Sequence, residues 1–450
     1  MMKLRVDRNV AEDRTKMNAK FRMLAFLGFV MSLITAGCSP ERITPEIVFE
    51  NVNVIPMTSE TVLENYAVVV KNGEIKAVGK FENLRYGREA QIVDAGGKYL
   101  LPGFSDMHVH LTDPQDRLRF LAAGITLVRN MWGKPEHLAD VARWEAENLP
   151  HPEVYTTGPL IDGRPAAWVG SLIIEDPAEV AGAIEQMKAD GYDAVKVYDN
   201  LSLPVYDEIV QQAARYDLPV VGHVPFTVGL EHVIQSGQLS IEHLRGYTLT
   251  NDSVDAALVR LTIESGVWNC PTIVAAPEKA AILRILYENG VRRFVSGTDT
   301  GIAYIHPGSS LHEEFKRLHE AGFTPYEVLL TTTRNAAEML GYEERLGTVE
   351  VGKDADLVLL DENPLEDIAN TSTVAGVVVK GVWFPEAELQ EMLETKFQSE
   401  GETLLLPRYP VVRCEVFPPA DNRVWVEKKE VPRAEIRPFK EPSRFFPRRS

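Results

Sequence analysis

Four histidines, one lysine and one aspartate stand where apolar runs of the sequence end. They are His108, His110, Lys196, His223, His243 and Asp299. Imidazole nitrogens and carboxylate oxygens are common protein ligands of divalent transition metals. His108 and His110 are two residues apart, and side chains at that spacing point to the same side of a strand. The residue types therefore indicate a metal site.

The intervals between these residues match the length of a repeated strand–helix unit. Lys196 precedes His223 by 27 residues and His223 precedes His243 by 20, whereas a strand, a helix and their loops take about 30. Between Leu101 and Leu346, about 245 residues, the chain alternates apolar runs with helical segments. This alternation predicts a parallel sheet, and the length is close to the ~250 residues of an eight-stranded barrel.

We therefore predict an α/β protein with a (β/α)8 barrel over residues 101–346. Its predicted strands are 104–109, 126–129, 153–157, 194–198, 220–223, 239–242, 268–272 and 294–297. Barrels of this kind carry their active sites at the carboxyl ends of the strands, which is where the six side chains fall. The alternative is an open doubly wound sheet, but the sequence has no glycine-rich dinucleotide or phosphate loop that would favour it.

Short strands are predicted on both sides of the barrel. Residues 39–100 contain several, with a hairpin turn at Asn72-Gly73, and residues 347–384 contain more. We expect these two segments to form one β-sandwich that flanks the barrel. Residues 385–450 are predicted to be a helix followed by a proline-rich tail, in which 11 basic residues outnumber 6 acidic ones from Leu405 onward.

The first 38 residues are typical of an export signal. A basic segment precedes an apolar run over 23–34 that is too short to span a bilayer, and small residues then lead to Cys38. This ending is similar to a bacterial lipobox, so we expect a lipid anchor at Cys38 and an outer-membrane lipoprotein facing the periplasm. The alternative is an ordinary secretory signal with an incidental cysteine. In that oxidising compartment, Cys270 and Cys414 either pair or remain free.

Composition and charge exclude several classes of protein. Hydrophobic residues make up 45% and charged residues 25% of the chain, which is the balance of a soluble globular protein rather than of a disordered or multi-span membrane chain. The net charge of −18 repels nucleic acid, so we expect no nucleic-acid partner.

Five phrases of the sequence resemble the amidohydrolase superfamily of metal-dependent hydrolases. They lie at 101–110, 240–243, 296–299, 333–337 and 346–357, and the resemblance extends over about 47–382. Within this superfamily, the sequence is most similar to the imidazolonepropionase-related group that includes Xaa-Pro dipeptidases. It implies a distorted βα barrel with a flanking β-sandwich.

The resemblance also implies two metal ions. His108 and His110 would bind one ion, together with Asp299, and His223 and His243 would bind the other. Lys196 would bridge both as a carbamate, N6-carboxylysine, because an unmodified ammonium has no lone pair. Zinc suits such ligands, although manganese, iron or cobalt also fits. The alternative for Lys196 is an interior salt bridge with Asp299 or Asp106.

The reaction implied is hydrolysis of an amide bond in a dipeptide or an N-acyl amino acid. A hydroxide between the two ions would attack the carbonyl carbon, Asp299 would transfer the proton, and Tyr198 would hold the carbonyl oxygen. Deaminase-like members carry a glutamate where this chain has Phe226. A lactone or ester hydrolase is one alternative, and a ligand-binding protein without activity is another.

Further residues are assigned to the surroundings of the site. Those expected on rim loops, where they could bind a substrate carboxylate, are Arg129, Asn130, Arg164, Trp168 and His306. Glu242 and Thr298, each next to a predicted ligand, are expected to support the ligands from behind.

Overall fold

The computed structural model describes residues 47–84, 86, 89–302 and 304–399. The predicted leader with Cys38, the cysteine Cys414 and the proline-rich tail lie outside these residues. Among the described residues, no helix is both long and apolar enough to cross a membrane.

The described chain contains seventeen strands and eleven α-helices. The strands are β1 Ile47–Val54, β2 Leu63–Lys71, β3 Glu74–Lys80, β4 Gln91–Asp94, β5 Tyr99–Pro102, β6 Phe104–Val109, β7 Ile125–Asn130, β8 Glu153–Thr156, β9 Ile161–Asp162, β10 Leu172–Ile173, β11 Val195–Val197, β12 Val220–Gly222, β13 Ser240–Glu242, β14 Trp268–Cys270, β15 Leu357–Leu360, β16 Val374–Val379 and β17 Val382–Pro385. The helices are α1 Asp116–Ala122, α2 Pro135–Ala146, α3 Val180–Asp190, α4 Leu203–Arg215, α5 Leu230–Gln235, α6 Ala256–Ser265, α7 Ala280–Glu288, α8 Ser309–Glu320, α9 Pro325–Thr332, α10 Arg334–Leu340 and α11 Glu386–Ser399.

One eight-stranded sheet combines the segments before and after the βα region. It contains β1–β5 and β15–β17, and β5 lies between β1 and β15. Val358 pairs with Leu101 across the antiparallel contact of β15 with β5. The predicted turn between β2 and β3 is present, with positive φ angles of 52° at Asn72 and 79° at Gly73, as a two-residue hairpin turn requires. The two predicted flanking segments therefore share a sheet.

The region between them is mixed α/β with parallel strands. One sheet has the order β6-β7-β8, and a second has the order β10-β9-β11-β12-β13-β14. Seven of the eight predicted strands are present, each within two residues of its predicted bounds. Gly158 N donates a hydrogen bond to Ala194 O (2.8 Å), which connects the end of β8 to the start of β11.

The eighth predicted strand, 294–297, is not a regular strand. Its backbone forms hydrogen bonds to the strands on both sides. Val295 N donates to Asn269 O on β14 (3.0 Å), and Ser296 O accepts from Met107 N on β6 (2.9 Å). Ser296 N, however, donates to Thr331 O on α9 (3.2 Å). The prediction of a regular strand was wrong because this amide bonds to a helix instead of to the adjacent strand.

A buried carboxyl group on α8 holds the loop that follows β14. Glu314 is fully buried and accepts hydrogen bonds from Ile273 N and Val274 N, both at 2.9 Å. Burial raises the pKa of Glu314 from 4.5 to about 8, although the two amide donors oppose the shift. The loop therefore depends on a carboxyl group that is costly to ionise in the folded protein.

Replacing Glu314 should change how stability depends on pH. Because the folded-state pKa of about 8 lies above the ordinary 4.5, the folded state retains a proton that the unfolded state releases, and stability falls as pH rises between these values. Gln is neutral throughout, so Glu314→Gln should lose most of this pH dependence of the unfolding free energy. Its single amide oxygen can accept from only one of the two backbone N–H groups, so the variant should also be less stable than the wild type at about pH 6. Urea unfolding at several pH values measures the effect.

The control is Glu313→Gln, which changes an exposed residue on the same helix and should behave like the wild type. Equal pH slopes for the wild type and Glu314→Gln would contradict the assignment.

Candidate metal centre

The six predicted ligands come together at the carboxyl ends of the parallel strands. The ring centroids of His108 and His243 are 4.7 Å apart, those of His223 and His243 are 5.0 Å apart, and those of His108 and His110 are 5.4 Å apart. Oδ1 of Asp299 lies 2.9 Å from Nε2 of His110 and 3.3 Å from Nε2 of His108. Four imidazoles and a carboxylate thus surround one point, as the sequence predicts.

Hydrogen bonds at Nδ1 orient two of the imidazoles. His108 Nδ1 lies 2.7 Å from Glu242 Oε2, and His223 Nδ1 lies 2.7 Å from Asp199 Oδ1. Because a carboxylate only accepts, the proton is on Nδ1 in both rings. Each Nε2 therefore carries a lone pair, which is the arrangement that metal-binding histidines show.

A threonine hydroxyl orients a third imidazole, that of His243. Thr272 Oγ1 donates to Pro271 O (2.8 Å), so it accepts from His243 Nδ1 (2.6 Å). Nε2 of His243 is 4.0 Å from Oδ2 of Asp299 and likewise has its lone pair available.

Burial keeps these imidazoles neutral. It lowers the pKa of His108 and the pKa of His223 well below the ordinary 6.5, and nearby positive charge acts in the same direction. Burial also lowers the pKa of His243 to about 4. Neutral imidazole is the form that binds a metal ion.

The two predicted ligands that are not imidazoles, Asp299 and Lys196, are charged groups beside these rings. Burial acts to raise the pKa of Asp299, but the His243 and His110 imidazoles and Lys196 outweigh it and hold this pKa at about 2. Burial lowers the pKa of Lys196 to about 8, against the attraction of Glu242 and Asp299. Within the described residues Lys196 has no ion pair within 4.0 Å, so the predicted alternative, a salt bridge with Asp299 or Asp106, is absent there.

The donor set fits a divalent metal. His108, His110 and Asp299 each offer a ligand atom, and these atoms all lie within 4.8 Å of one another. Nε2 of His108 is buried without a hydrogen-bond partner, as is Nδ1 of His110. A buried nitrogen lone pair without a donor is unusual in a folded protein, and a bound cation would satisfy it.

A second cluster brings Cys270 near His108 and Glu242, but it is a poorer metal site. The Glu242 carboxylate already accepts four hydrogen bonds, from Arg129, Ser240 and His108. Burial raises the pKa of the Cys270 thiol well above its ordinary range, so it is not the thiolate that a metal requires.

The backbone has positive φ angles at two predicted ligands. They are 56° at His243 and 61° at Asp299, and Thr272 has 49°. Residues other than glycine seldom adopt this conformation, although histidine and aspartate do so more often than most. The position just before His223, Gly222, has to be glycine because a Cβ atom there would lie only 2.3 Å from Val197 O, which is too close for any side chain.

Arg129 was predicted on the rim and is instead in the protein interior. It is fully buried, and its guanidinium donates to Met107 O (2.5 Å), Ser240 Oγ (2.8 Å) and both oxygens of Glu242 (2.9 Å each). The prediction that it binds a substrate carboxylate is wrong, because its side chain points into the interior and its donors are occupied. Arg129 holds Glu242, and Glu242 holds His108.

Most other predicted rim residues have partners of their own. Asn130 is buried against His137 and Thr156, so it too is unavailable to a substrate. Arg164 is exposed and pairs with Glu175 at 3.0 Å. His306 is exposed in the loop that follows Asp299.

Tyr198 and Trp168 stay at the edge of the site. The Tyr198 ring stacks on His223 with centroids 3.9 Å apart, and its hydroxyl accepts a hydrogen bond from Trp168 Nε1 (2.7 Å). Burial raises the pKa of Tyr198 above its ordinary 10. The phenol therefore stays protonated and can donate to a substrate oxygen.

Of the two predicted supporting residues, only Glu242 contacts a predicted ligand through its side chain. Glu242 accepts from His108, whereas Thr298 bonds to Asp106 (2.7 Å). Asp199 and Thr272 were not predicted, and Asp106 was named only as a possible partner of Lys196. Asp106 stands two residues before His108 and so shares its side of the strand, a signal that could have revealed it. The other two have no such signal.

Comparison with known proteins agrees with this geometry. A model of the amidohydrolase family matches residues 99–384. The chain belongs to the amidohydrolase family. The predictions that it is a member of this superfamily and that it is an enzyme of the amidohydrolase class are thereby confirmed.

The curated relatives of this amidohydrolase are distant. An adenine deaminase of Moorella thermoacetica is 23% identical over 315 residues, which cover 66% of this chain and 51% of the deaminase. An ochratoxinase of Aspergillus niger is 25% identical over 393 residues, which cover 68% of this chain and 79% of the ochratoxinase. The chain thus spans about half the length of the Moorella deaminase.

Solved structures show the same fold. A Xaa-Pro dipeptidase with bound methionine in its active site has a TM-score of 0.65 and is 23% identical, covering 76% of this chain and all of that chain. Molinate hydrolase has a TM-score of 0.66 at 20% identity and covers 85% of this chain and 99% of its own.

Neutralising Glu242 should weaken metal binding. In Glu242→Gln, the acceptor that orients His108 loses its charge, and metal affinity should fall by about 10- to 100-fold. A zinc titration against a competing chelator measures this. Circular dichroism establishes that the variant is folded, since Arg129 loses an ion pair.

The matched control is Glu264→Gln, at an exposed position on α6. If the folded Glu242→Gln protein bound zinc as tightly as this control, Glu242 would not orient His108.

Proposed function

We propose that this protein hydrolyses a C–N amide bond of a small molecule, such as a dipeptide or an N-acyl amino acid, with two divalent metal ions. The observation that carries the proposal is the convergence of four imidazoles, Asp299 and Lys196 at one end of the parallel strands. The names of the relatives, which include a dipeptidase, a deaminase and a hydrolase, support hydrolytic chemistry at this fold.

The proposed ligands divide into two groups. His108, His110 and Asp299 would hold one ion, and His223 and His243 would hold the other. Lys196 would supply carboxylate oxygens to both after its neutral amine had reacted with CO2, which forms an N–C bond, releases one amine proton and creates two carboxylate oxygens. Zinc is the proposed metal because the ligands are mostly imidazoles. Two divalent cations held there would lower the pKa of a water between them towards neutrality and would polarise a carbonyl group.

The protein's own groups then handle the proton and the carbonyl oxygen. Burial acts to raise the pKa of Asp299, but the neighbouring imidazoles and Lys196 hold it low, so its carboxylate is ionised at neutral pH. This carboxylate is the proposed acceptor of the proton of the attacking water, which it would deliver to the leaving nitrogen. Tyr198 remains a phenol and donates a hydrogen bond to the carbonyl oxygen, whose negative charge grows in the transition state.

We also propose that the parallel strands close into an eightfold barrel beside a β-sandwich. Support comes from the backbone hydrogen bonds that link β8 to β11 and that join residues 295–296 to Asn269 on one side and Met107 on the other. A closed barrel would place the first predicted strand, 104–109, which carries His108, beside the eighth, 294–297, which is followed by Asp299.

Removing Lys196 should remove the activity. We expect the wild type, produced with zinc and bicarbonate, to contain close to two metal ions per chain by elemental mass spectrometry. Lys196→Ala should retain at most one and should lose amide hydrolysis by about 100-fold or more, because a second cation contributes several kcal/mol to the transition state. Intact-mass measurement of the native protein should show one added CO2.

Lys188→Ala, at an exposed position on α3, is the control and should retain metal and activity. The substrate panel contains Xaa-Pro dipeptides, N-acyl amino acids, lactones and adenine. Hydrolysis of lactones alone would favour the ester alternative. A wild type without metal after reconstitution, together with an unchanged Lys196→Ala, would favour a ligand-binding protein without activity.

We propose in addition that the protein is exported and anchored to the outer membrane through lipidated Cys38. The basis is the apolar run and the small residues before Cys38. Cys38→Ala should move the protein from the membrane fraction to the soluble periplasmic fraction. Equal membrane content in both proteins would contradict the anchor.

A further inference from the structure

An arc of aromatic rings borders one side of the proposed metal centre. The His110 and Trp132 rings meet edge to face at 6.3 Å, and Trp132 lies 6.2 Å from Trp168. Trp168 Nε1 then donates to the Tyr198 hydroxyl (2.7 Å), and Tyr198 stacks on His223 at 3.9 Å. Since both ends of the arc are proposed metal ligands, the rings between them lie alongside the centre.

Part of this arc is apolar surface in contact with water. Trp168 is 43% exposed and Val169 beside it is 99% exposed. The described residues include four exposed aromatic side chains. Three of them, Trp168, Phe226 and Tyr304, lie in loops that follow predicted parallel strands, and the fourth is Phe81. Exposed aromatic surface concentrated beside convergent polar groups is typical of a ligand-binding site.

The loop that carries Trp168 is held in place by a buried carboxylate. Asp162 accepts hydrogen bonds from Gly163 N (2.9 Å), Ala167 N (2.9 Å) and Asn200 N (2.7 Å). Asn200 Nδ2 in turn donates to Pro165 O (2.8 Å). The indole is therefore presented by a fixed loop, and a ligand that packs on it does not first have to order the loop.

We infer that Trp132 and Trp168 form a subsite for a planar aromatic group next to the scissile bond, which makes aromatic amides such as N-aroyl amino acids the substrate class. The inference rests on the proposed amide hydrolysis. Flat rings stack favourably on indoles. Lys134 Nζ lies 5.3 Å from the centre of the Trp132 ring, and this positive charge favours neutral or anionic substrates over cationic ones.

Trp168 has a second, separable role as a positioning residue. An indole N–H can only donate, so the Tyr198 oxygen accepts this hydrogen bond and its own proton is left for the substrate carbonyl. Trp168→Phe keeps a flat ring but removes the N–H. It should lower kcat for every amide while retaining the preference for aromatic ones.

The experiment compares N-benzoylglycine with N-acetylglycine. The wild type should show a kcat/KM at least about tenfold higher for N-benzoylglycine, and Trp132→Leu should reduce this ratio by about tenfold. Phe81→Leu replaces the exposed aromatic residue remote in sequence from the site loops and should keep the wild-type ratio. Circular dichroism checks the folding of each variant.

A binding measurement separates this inference from the proposed function. N-benzoylglycine is titrated into Lys196→Ala protein, with and without Trp132→Leu, by calorimetry. Binding that depends on Trp132 supports the subsite even if the wild type hydrolyses no amide, in which case only the proposed function fails. Amide hydrolysis without aromatic preference, together with binding that is equal with and without Trp132, overturns the subsite and leaves the proposed function standing.

Discussion

One buried carboxylate, that of Glu242, constrains the arrangement of the strands that build the site. It accepts hydrogen bonds from Arg129 on β7, from Ser240 on its own strand and from His108 on β6. An ionised group removed from water costs several kcal/mol unless it is paired and fully hydrogen-bonded. The strands therefore have to pack in the register that brings all three donors to Glu242, and that register also directs His108 towards the other ligands.

The same low-polarity interior prepares the imidazoles for metal binding. Burial disfavours imidazolium at His108, His223 and His243, and hydrogen bonds at each Nδ1 leave the opposite nitrogen with a lone pair. Asp299 remains an anion among them because the neighbouring imidazoles and Lys196 outweigh the effect of its burial. A protein interior that excludes water and fixes its own dipoles in this way is suited to bind cations and to stabilise developing charge.

The strands and the loops contribute different things to this amidohydrolase. The strands supply the predicted ligands, whose positions follow from backbone pairing, while the loops supply exposed side chains such as Trp168. Similar structures that carry the names dipeptidase and molinate hydrolase have TM-scores of 0.65 and 0.66, so one fold accommodates differently named enzymes. In general, where a rigid scaffold presents variable segments, binding residues are concentrated on the loops.

The sequence by itself determined the strand–helix alternation, the hairpin at Asn72-Gly73 and the six candidate residues that converge, because periodicity, turn type and spacing are local properties of the chain. The tertiary structure alone decided that Arg129 lies in the interior, since adjacent strand residues point to opposite faces and the pattern does not say which face is enclosed. It also decided that Ser296 bonds to α9, that Asp199 and Thr272 orient ligands, and that Trp132 meets Trp168. These contacts join residues distant in sequence or on separate loops, and only the folded chain brings them within bonding distance.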